Sequence, residues 1–367
     1  MHGERFLSID AFRGLTMAAM ILVNNPGSWS HVYPPLRHAE WHGWTPTDLV
    51  FPFFMFIVGM SMTFSFGRRL REGVASAGLY GKILKRAAIL FGLGLFLNLF
   101  PSFSFAGLRI PGVLQRIALG YLFGSLIYLK TKPGLRTGVS ILLLLVYTAL
   151  LKLIPVPGYG PGILEPAGNL PGYVDTQLMA GHLYKPDFDP EGLLSTIPAI
   201  VTVLLGTMLG DALRSSRTIV RKTMGIFFAG VPLTVAGLLL QPYLPINKAL
   251  WTPSYVLFTA GMALLVFGVG FILIDILEWR LWAKPFFILG SNAILVFVGS
   301  SLLADILGLI RIPSGGASVG PAAFLQAHVF SIFGGPNLAS LIWAVLNVVL
   351  WIALMAPLYR HKLFLKI

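Results

Sequence analysis

Ten long apolar stretches follow one another along this chain, and each has about the 20 residues that an α-helix needs to cross a lipid bilayer. They run over residues 7–25, 48–66, 82–100, 113–130, 136–154, 193–213, 220–240, 254–277, 281–303 and 337–358. Only 11% of the residues are charged, against about 25% in an ordinary soluble domain, which excludes a water-exposed surface for most of the chain. We therefore predict an all-α, polytopic integral membrane helix bundle of about ten transmembrane helices, formed by residues 1–367 as a single domain.

The positions of Lys and Arg predict the orientation of these helices, because short cytoplasmic loops collect positive charge. With ten spans, nineteen of the 27 Lys and Arg residues fall on one side and six on the other, while Arg13 and Arg116 lie inside spans. Both termini are therefore predicted to be cytoplasmic. The first span carries Asp10 and Arg13, so we expect a retained helix and not a cleaved signal peptide. Residues 321–333 are too few to cross and are expected to lie at the interface or to re-enter.

The formal net charge of +13 is compatible with nucleic acid, anionic lipid or a phosphorylated ligand as partner. The basic residues are spread over several loops and both tails without a nucleic-acid-binding motif, so we expect no nucleic-acid partner. Topology and contact with an anionic lipid bilayer explain most of the charge. The cations inside the spans, Arg13 and Arg116, remain as candidates to meet a phosphate group.

Several classes of site are excluded by what the sequence lacks. The chain has no Cys, which excludes disulfides, thiolate metal sites, Cys nucleophiles and iron–sulfur clusters. Neither a GxxxxGK[ST] phosphate loop nor a GxSxG nucleophile elbow occurs in it. An anionic co-substrate would therefore be bound by helix ends and by Arg or Lys side chains.

Two predicted extracytoplasmic loops, residues 25–47 and 155–192, are richer in polar and aromatic residues than topology requires. The first holds three of the seven His and three of the eight Trp residues. The i, i+4 spacing of His38 and His42 would suit a metal site on a helix, but nearby prolines limit a helix there to about one turn, and we expect no metal. The alternative is a single His that acts as a general base in a polar pocket at the membrane surface.

Motifs along nearly the whole chain are similar to those of one enzyme family. They are SIDAFRG at 8–14, VN at 23–24, RHAEWHG at 37–43, TDLVFPFF at 47–54, IPGVLQRI at 110–117, DPEG at 189–192, NKALWTPSY at 247–255 and LGSNAI at 289–294. In this order they resemble the heparan-α-glucosaminide N-acetyltransferase family, a group of transmembrane acetyltransferases with bacterial relatives, some associated with N-acetylglucosamine use. Any one motif is weakly specific, whereas the combination is specific.

The resemblance implies transfer of an acetyl group from cytosolic acetyl-CoA to the amino group of a glucosamine-like amino sugar on the far side of the membrane. The catalytic His of the family falls at His38 and its pocket Asn at Asn24, and His42 stands where the lysosomal members carry Asn. His38 is then expected to act as general base or as acetyl carrier, and Asn24 to orient the imidazole or stabilise an oxyanion. Asp48 is expected to hold the imidazole or a sugar hydroxyl, or to cap a helix.

The remaining candidate residues divide between donor and acceptor. Those expected along the acetyl-CoA path, because the phosphates of CoA need polar and cationic partners, are Arg13, Arg86, Gln115 and Arg116. Those expected to contact the amino sugar are Asp10, Trp41, Asp189, Glu191, Lys248 and Asn292. Trp41 or Trp44 is expected to stack on a sugar ring, although either is also typical of the aromatic belt at a membrane interface.

Two other functions stay open from the residues alone: a secondary transporter of a small sugar or anion, and an O-acyltransferase acting on a polysaccharide or a lipid. Transporters often show interrupted helices in corresponding halves, but the loops after the first and fifth spans share neither motif nor length. We expect the protein in a bacterial inner membrane. The sequence leaves open which acceptor is used, whether acetyl-His forms, and whether the chain is a homodimer.

Overall fold

The computed structural model describes residues 6–71, 76–314 and 317–365 and is mostly helical, as predicted. Its helices are α1 (Leu7–Asn24), α2 (Val50–Arg71), α3 (Ser76–Leu99), α4 (Val113–Lys130), α5 (Pro133–Leu153), α6 (Leu170–Met179), α7 (Thr196–Arg214), α8 (Ile219–Leu240), α9 (Pro253–Phe271), α10 (Lys284–Ser291), α11 (Ala293–Leu309), α12 (Pro321–His328) and α13 (Pro336–Arg360). An antiparallel hairpin of β1 (Ile312–Ser314) and β2 (Ala317–Val319) precedes α12. Short 3-10 turns lie at Pro34–Leu36, Pro46–Leu49, Leu281–Ala283 and Phe330–Phe333, and a π-turn, Ile272–Ile276, continues α9.

Each of the ten predicted spans coincides with helical structure, but not every helix is equally suited to cross a membrane. Among the described residues, seven helices are long and apolar enough, namely α1, α2, α5, α7, α8, α9 and α13. The predicted span 281–303 is not one straight helix, because α10 and α11 meet at an angle of 76°; the bent pair would be an eighth span. Both α3 and α4 carry internal charges, such as Arg86 and Arg116, and fall short of the same standard. The count of ten spans and the cytoplasmic termini therefore stay predictions.

Glycines allow the helices around the candidate site to pack backbone to backbone. A Cβ atom at Gly59 of α2 would lie 1.9 Å from the carbonyl oxygen of Val203 in α7. A Cβ atom at Gly14 of α1 would lie 1.7 Å from the carbonyl oxygen of Phe286 in α10. In lipid, where apolar burial gives little driving force between helices, such small-residue contacts hold helices together.

The two predicted extracytoplasmic loops pack on each other at one end of the bundle. The indole N–H of Trp41 in the first loop donates to the carbonyl oxygen of Leu164 in the second, at 2.8 Å. The backbone N–H of Gly43 donates to the carbonyl oxygen of Ile246, between α8 and α9, at 2.7 Å. Three segments that are distant in sequence therefore form one layer over the helix ends.

At the opposite end of α1, the carboxylate of Asp275 caps the helix from the π-turn after α9. Its two oxygens accept the backbone N–H groups of Leu7 at 2.9 Å and of Ser8 at 3.1 Å. The residue before α1, Phe6, has no side chain that can do this. The first N–H groups of a helix lack partners within it and carry partial positive charge. The carboxylate therefore stabilises the start of α1 both by hydrogen bonding and by its negative charge.

We expect Asp275→Ala to lower the free energy of unfolding by about 1 kcal/mol, the usual effect of removing an N-terminal cap. Unfolding by denaturant in detergent micelles measures the change. Glu278→Ala is the matched control, because Glu278 is 71% exposed and pairs with Arg280 at the surface, where ion pairs contribute little. An equal loss of stability in both variants would contradict the capping role.

Candidate active site

His38 and Asp48 form the best-defined polar contact of the candidate site. Asp48 lies in the 3-10 turn that leads into α2, its side chain is 1% exposed, and its Oδ1 lies 2.6 Å from Nδ1 of His38. Its Oδ2 accepts the backbone N–H groups of Ala39 and Thr45, both at 3.0 Å. With both oxygens engaged the carboxylate is held in place, and as acceptor at Nδ1 it favours the tautomer that leaves the Nε2 lone pair free. Asp48 thus contacts the imidazole and caps a turn at once, the two roles considered from sequence.

Lys248 places an ammonium group against the same imidazole. Its Nζ lies 3.1 Å from Nδ1 and 3.2 Å from Nε2 of His38, and 3.7 Å from Oδ1 of Asp48. The near-equal distances show that Nζ does not lie along the lone pair of either ring nitrogen. Burial lowers the pKa of Lys248 from its usual value, and the Asp48 carboxylate opposes that shift only in part. The site therefore combines an oriented imidazole with an ammonium group in direct contact with it.

Asn247, the residue before Lys248, fixes the segment between α8 and α9 in this position. Its side chain is fully buried, its Nδ2 donates to the carbonyl oxygen of Trp41 at 3.0 Å, and its Oδ1 accepts the N–H of Leu250 at 2.8 Å. The hydroxyl of Tyr255 in α9 donates to the carbonyl oxygen of Asp48 at 2.5 Å. These bonds join the His38 loop, the Lys248 segment and α9 into one unit.

A cavity of about 490 Å³, here called the His38 cavity, opens in front of this group. Its polar lining includes Asn24, His38, Glu40, Asp48, Arg109, Lys185, Glu191 and Lys248, and its aromatic lining Trp29, Trp41, Phe51, Tyr184, Phe188 and Phe297. Of the tryptophans proposed to stack on a sugar, Trp41 lines the cavity, whereas Trp44 packs on Phe258 with ring centroids 4.7 Å apart. Trp29, which sequence reasoning did not single out, also lines it and is 70% exposed.

Arg109 is another residue of this cavity that sequence reasoning missed, because it looked like one more loop cation. It donates to both oxygens of Asp189, at 2.7 and 2.8 Å, and to Glu191 at 2.5 Å. Burial lowers the pKa of Arg109, but the two carboxylates outweigh it and the net shift is upward. Asp189 also accepts the N–H groups of Tyr184 and Glu191, so its oxygens are occupied by the protein, whereas Glu191 lines the cavity.

A second cavity of about 320 Å³, the Arg13 cavity, lies among the same helices. Its polar lining is Arg13, Ser61, Ser65, Arg86, Tyr121, Ser291 and Asn292. Arg13 donates to Asp10 at 3.1 Å, to the carbonyl oxygen of Gly290 at 3.2 Å and to Ser61 at 2.8 Å. Arg86 lies over the ring of Tyr121, and its buried Nε has no hydrogen-bond partner among the described residues.

The two cavities lie one after the other along four shared helices. Helix α2 contributes Phe51 to the His38 cavity and Phe54 to the Arg13 cavity, a separation of about one turn. Helices α1, α4 and α11 likewise contribute residues to both cavities. A long, thin ligand that entered at one cavity would therefore meet the other along the same helix faces.

Two predicted residues of the acetyl-CoA path, Gln115 and Arg116, are buried and line neither cavity. Arg116 donates to the carbonyl oxygen of Gly192 at 3.0 Å and to the hydroxyl of Ser195, and lies over the ring of Trp251. It therefore joins α4 to the start of α7. Its contact with CoA stays a prediction that these bonds do not support.

Two predicted acceptor contacts, Asp10 and Asn292, lie away from His38. Asp10 is the ion-pair partner of Arg13, and Asn292 lines the Arg13 cavity at the break between α10 and α11. Asn24 and Asp10 are fourteen positions apart on α1, which corresponds to about 21 Å along the helix. In residues 6–71, 76–314 and 317–365, no three His, Asp or Glu side chains come together as metal ligands would.

Asp175 of α6 is buried within the second loop, where its Oδ1 accepts the N–H of Leu193 at 2.9 Å. Burial raises the pKa of Asp175 from 3.8 to about 6. The folded state then binds this proton more tightly than the unfolded state, so the stability that Asp175 contributes is greatest below pH 3.8 and falls by about 3 kcal/mol as the pH rises to about 6. We expect Asp175→Asn to remove this loss of stability when the free energy of unfolding is measured as a function of pH. Asp187→Asn is the control and should keep the wild-type profile, because Asp187 is exposed in the same loop. Parallel pH profiles of wild type and Asp175→Asn would contradict it.

Comparison with known proteins identifies the family. The family described as heparan-alpha-glucosaminide N-acetyltransferase, catalytic, matches residues 5–245. The human protein named heparan-alpha-glucosaminide N-acetyltransferase is 32% identical in an alignment of 360 positions, which covers 82% of this chain and 53% of the human protein. The mouse protein of that name is 30% identical in an alignment of 424 positions, which covers 99% of this chain and 61% of the mouse protein. The chain therefore spans little more than half the length of these relatives. The resemblance seen in the motifs is confirmed, and the chain belongs to the heparan-alpha-glucosaminide N-acetyltransferase family.

Proposed function

We propose that this chain is a transmembrane N-acetyltransferase, which moves an acetyl group from acetyl-CoA on the cytoplasmic side to the amino group of a glucosamine-like sugar on the other side. The names of its relatives support the reaction class. One observation carries the proposal: the oriented His38–Asp48 pair, with Lys248 beside it, lines a cavity that adjoins a second, arginine-lined cavity. The charge distribution along the sequence supports the orientation in a bacterial inner membrane.

The Arg13 cavity is the proposed donor site. Arg13 and Arg86 would supply the positive charge that the phosphates of CoA require. The first residues of α11, Ala293 and Ile294, belong to the same lining, and the start of a helix favours anions. The thin pantetheine arm of the donor would then extend along α2 toward His38, consistent with the order of the two cavities.

The His38 cavity is the proposed acceptor site. An amine attacks a thioester only in its unprotonated form, and Nε2 of His38 can take the proton because Nδ1 is bound to Asp48. The new N–C bond forms as the carbonyl becomes a tetrahedral oxyanion, which the ammonium of Lys248 would stabilise. Collapse of this species breaks the C–S bond, and the thiolate of CoA leaves.

A covalent route through acetyl-His38 uses the same free Nε2, since attack by the ring and proton removal by the ring need the same tautomer. In both routes Asp48 keeps the imidazole in position, and Asn24, on the same cavity wall, can orient the acceptor or donate to the oxyanion. Glu191 is the proposed carboxylate for the sugar, because it lines the cavity and Arg109 binds only its Oε2, whereas both oxygens of Asp189 are bound by the protein. Asp10 and Asn292 belong on the donor side in this proposal.

The direct test is mass spectrometry of candidate amino sugars after incubation of the purified protein with isotope-labelled acetyl-CoA. In sealed proteoliposomes, acetyl-CoA on one face should acetylate an amino sugar on the other. Flux of an amino sugar or anion without acetyl transfer would instead identify a transporter, and label on a hydroxyl group would identify an O-acyltransferase.

We expect His38→Ala to lower turnover by about 10²–10⁴, the usual contribution of a general base, and Asp48→Asn to lower it to a similar extent by releasing the imidazole. Binding of acetyl-CoA should be retained in both. His31→Ala is the matched control, since His31 is exposed in the same loop and does not line the His38 cavity. Wild-type turnover by purified His38→Ala would exclude the catalytic assignment.

Arg86→Met should raise the KM for acetyl-CoA about tenfold or more, because a hydrogen bond to a charged group contributes roughly 1.5–3 kcal/mol, and should leave the KM for the acceptor unchanged. Steady-state kinetics with each substrate varied in turn measures both constants. Lys85→Met removes the neighbouring, exposed charge, which does not line the Arg13 cavity, and serves as control. An equal rise in KM in both variants would indicate a general loss of positive charge and not a phosphate contact.

A further inference from the structure

Residues 363–365, which follow α13, return to the bundle and lie against the break between α10 and α11. There the side chain of Asn292 binds them at two points: its Nδ2 donates to the carbonyl oxygen of Leu363 at 3.1 Å, and its Oδ1 accepts the N–H of Leu365 at 2.8 Å. Asn292 is 3% exposed, so its side of this pairing is buried. One buried amide thus fixes a segment more than 70 positions away in sequence.

The pairing also accounts for the hydrogen-bonding capacity of Asn292. Besides the bond to Leu363, its Nδ2 lies 3.5 Å from the hydroxyl of Ser291, and its Oδ1 is occupied by Leu365. A side chain with these bonds is poorly placed to contact a substrate directly, which was its expected role from sequence. Its geometry suits a residue that positions the segment.

The segment reaches the Arg13 cavity through Leu365, which lines that cavity together with Asn292. The Leu365 residue is 65% exposed, so its side chain offers apolar surface that a ligand can cover. Phe364, the neighbouring residue, is not part of the lining.

We propose that residues 363–365 form a wall of the donor cavity, that Leu365 contacts bound acetyl-CoA, and that Asn292 is the positioning residue that holds this wall. The inference rests on the proposed function, since it takes the Arg13 cavity as the site of acetyl-CoA. It adds a specific expectation: donor affinity depends on a backbone segment that is distant in sequence from Arg13 and Arg86.

The test compares three purified full-length variants, Leu365→Ala, Asn292→Ala and Phe364→Ala, with the wild-type protein. Calorimetry with CoA alone and steady-state kinetics with acetyl-CoA give the Kd, the KM and kcat. We expect Leu365→Ala and Asn292→Ala each to raise the Kd and the KM for the donor about tenfold, with kcat and the KM for the acceptor unchanged. Phe364→Ala is the control: it leaves the backbone hydrogen bonds to Asn292 in place and removes a side chain that does not line the cavity, so it should behave as wild type.

Hydrogen exchange separates positioning from direct contact. Asn292→Ala should expose the amide of Leu365 to faster exchange even without CoA, whereas Leu365→Ala should leave that amide protected. Because Leu365 is exposed, its variant should fold even if Asn292→Ala does not. If wild type binds CoA and Leu365→Ala binds it equally well, the inference is overturned and the proposed function stands. If wild type does not bind CoA, the donor assignment fails and the inference fails with it.

Discussion

The buried carboxylate of Asp48 is the interaction on which the candidate site depends. Its oxygens bind the imidazole of His38 and the backbone N–H groups of Ala39 and Thr45, so one side chain closes the first loop and orients the ring. A buried carboxylate with no partner would be costly, and a buried carboxylate with several donors is rigid. Lys248, 3.7 Å away, supplies the opposite charge. Charge balance and the geometry of the candidate site are thus provided by the same few contacts.

The second constraint is the close approach of helix backbones. Glycines such as Gly14 and Gly59 let helices touch where a side chain would collide with a carbonyl oxygen. Helices this close form a scaffold in which α1, α2, α4 and α11 all line both cavities. In the proposed reaction that arrangement matters, because a thioester has to be presented to an amine across a membrane, and closely packed helices hold the two reactants in one orientation.

Sequence reasoning found part of the site and missed part for identifiable reasons. His38, Asp48 and Lys248 lie in motifs, and the structure brings all three into contact. Arg109 carried no local signal, since its importance lies in two carboxylates about 80 positions away. Arg116 looked like a cation free to meet a phosphate, but its partners are the carbonyl oxygen and hydroxyl at the start of α7. Spacing along a chain reports contacts within a helix and not contacts between helices.

The sequence by itself determined that the chain is helical and apolar, where its long helices lie, and to which family it belongs. Those properties follow from local hydropathy and from residue order, because a helix satisfies its backbone hydrogen bonds within about four residues. Only the tertiary structure decided which polar residues meet. Lys248 lies against an imidazole 210 positions earlier, and Asn292 binds a segment 71 to 73 positions later. It also decided that the predicted span 281–303 bends by 76° at Asn292, because that break is stabilised by a distant part of the chain.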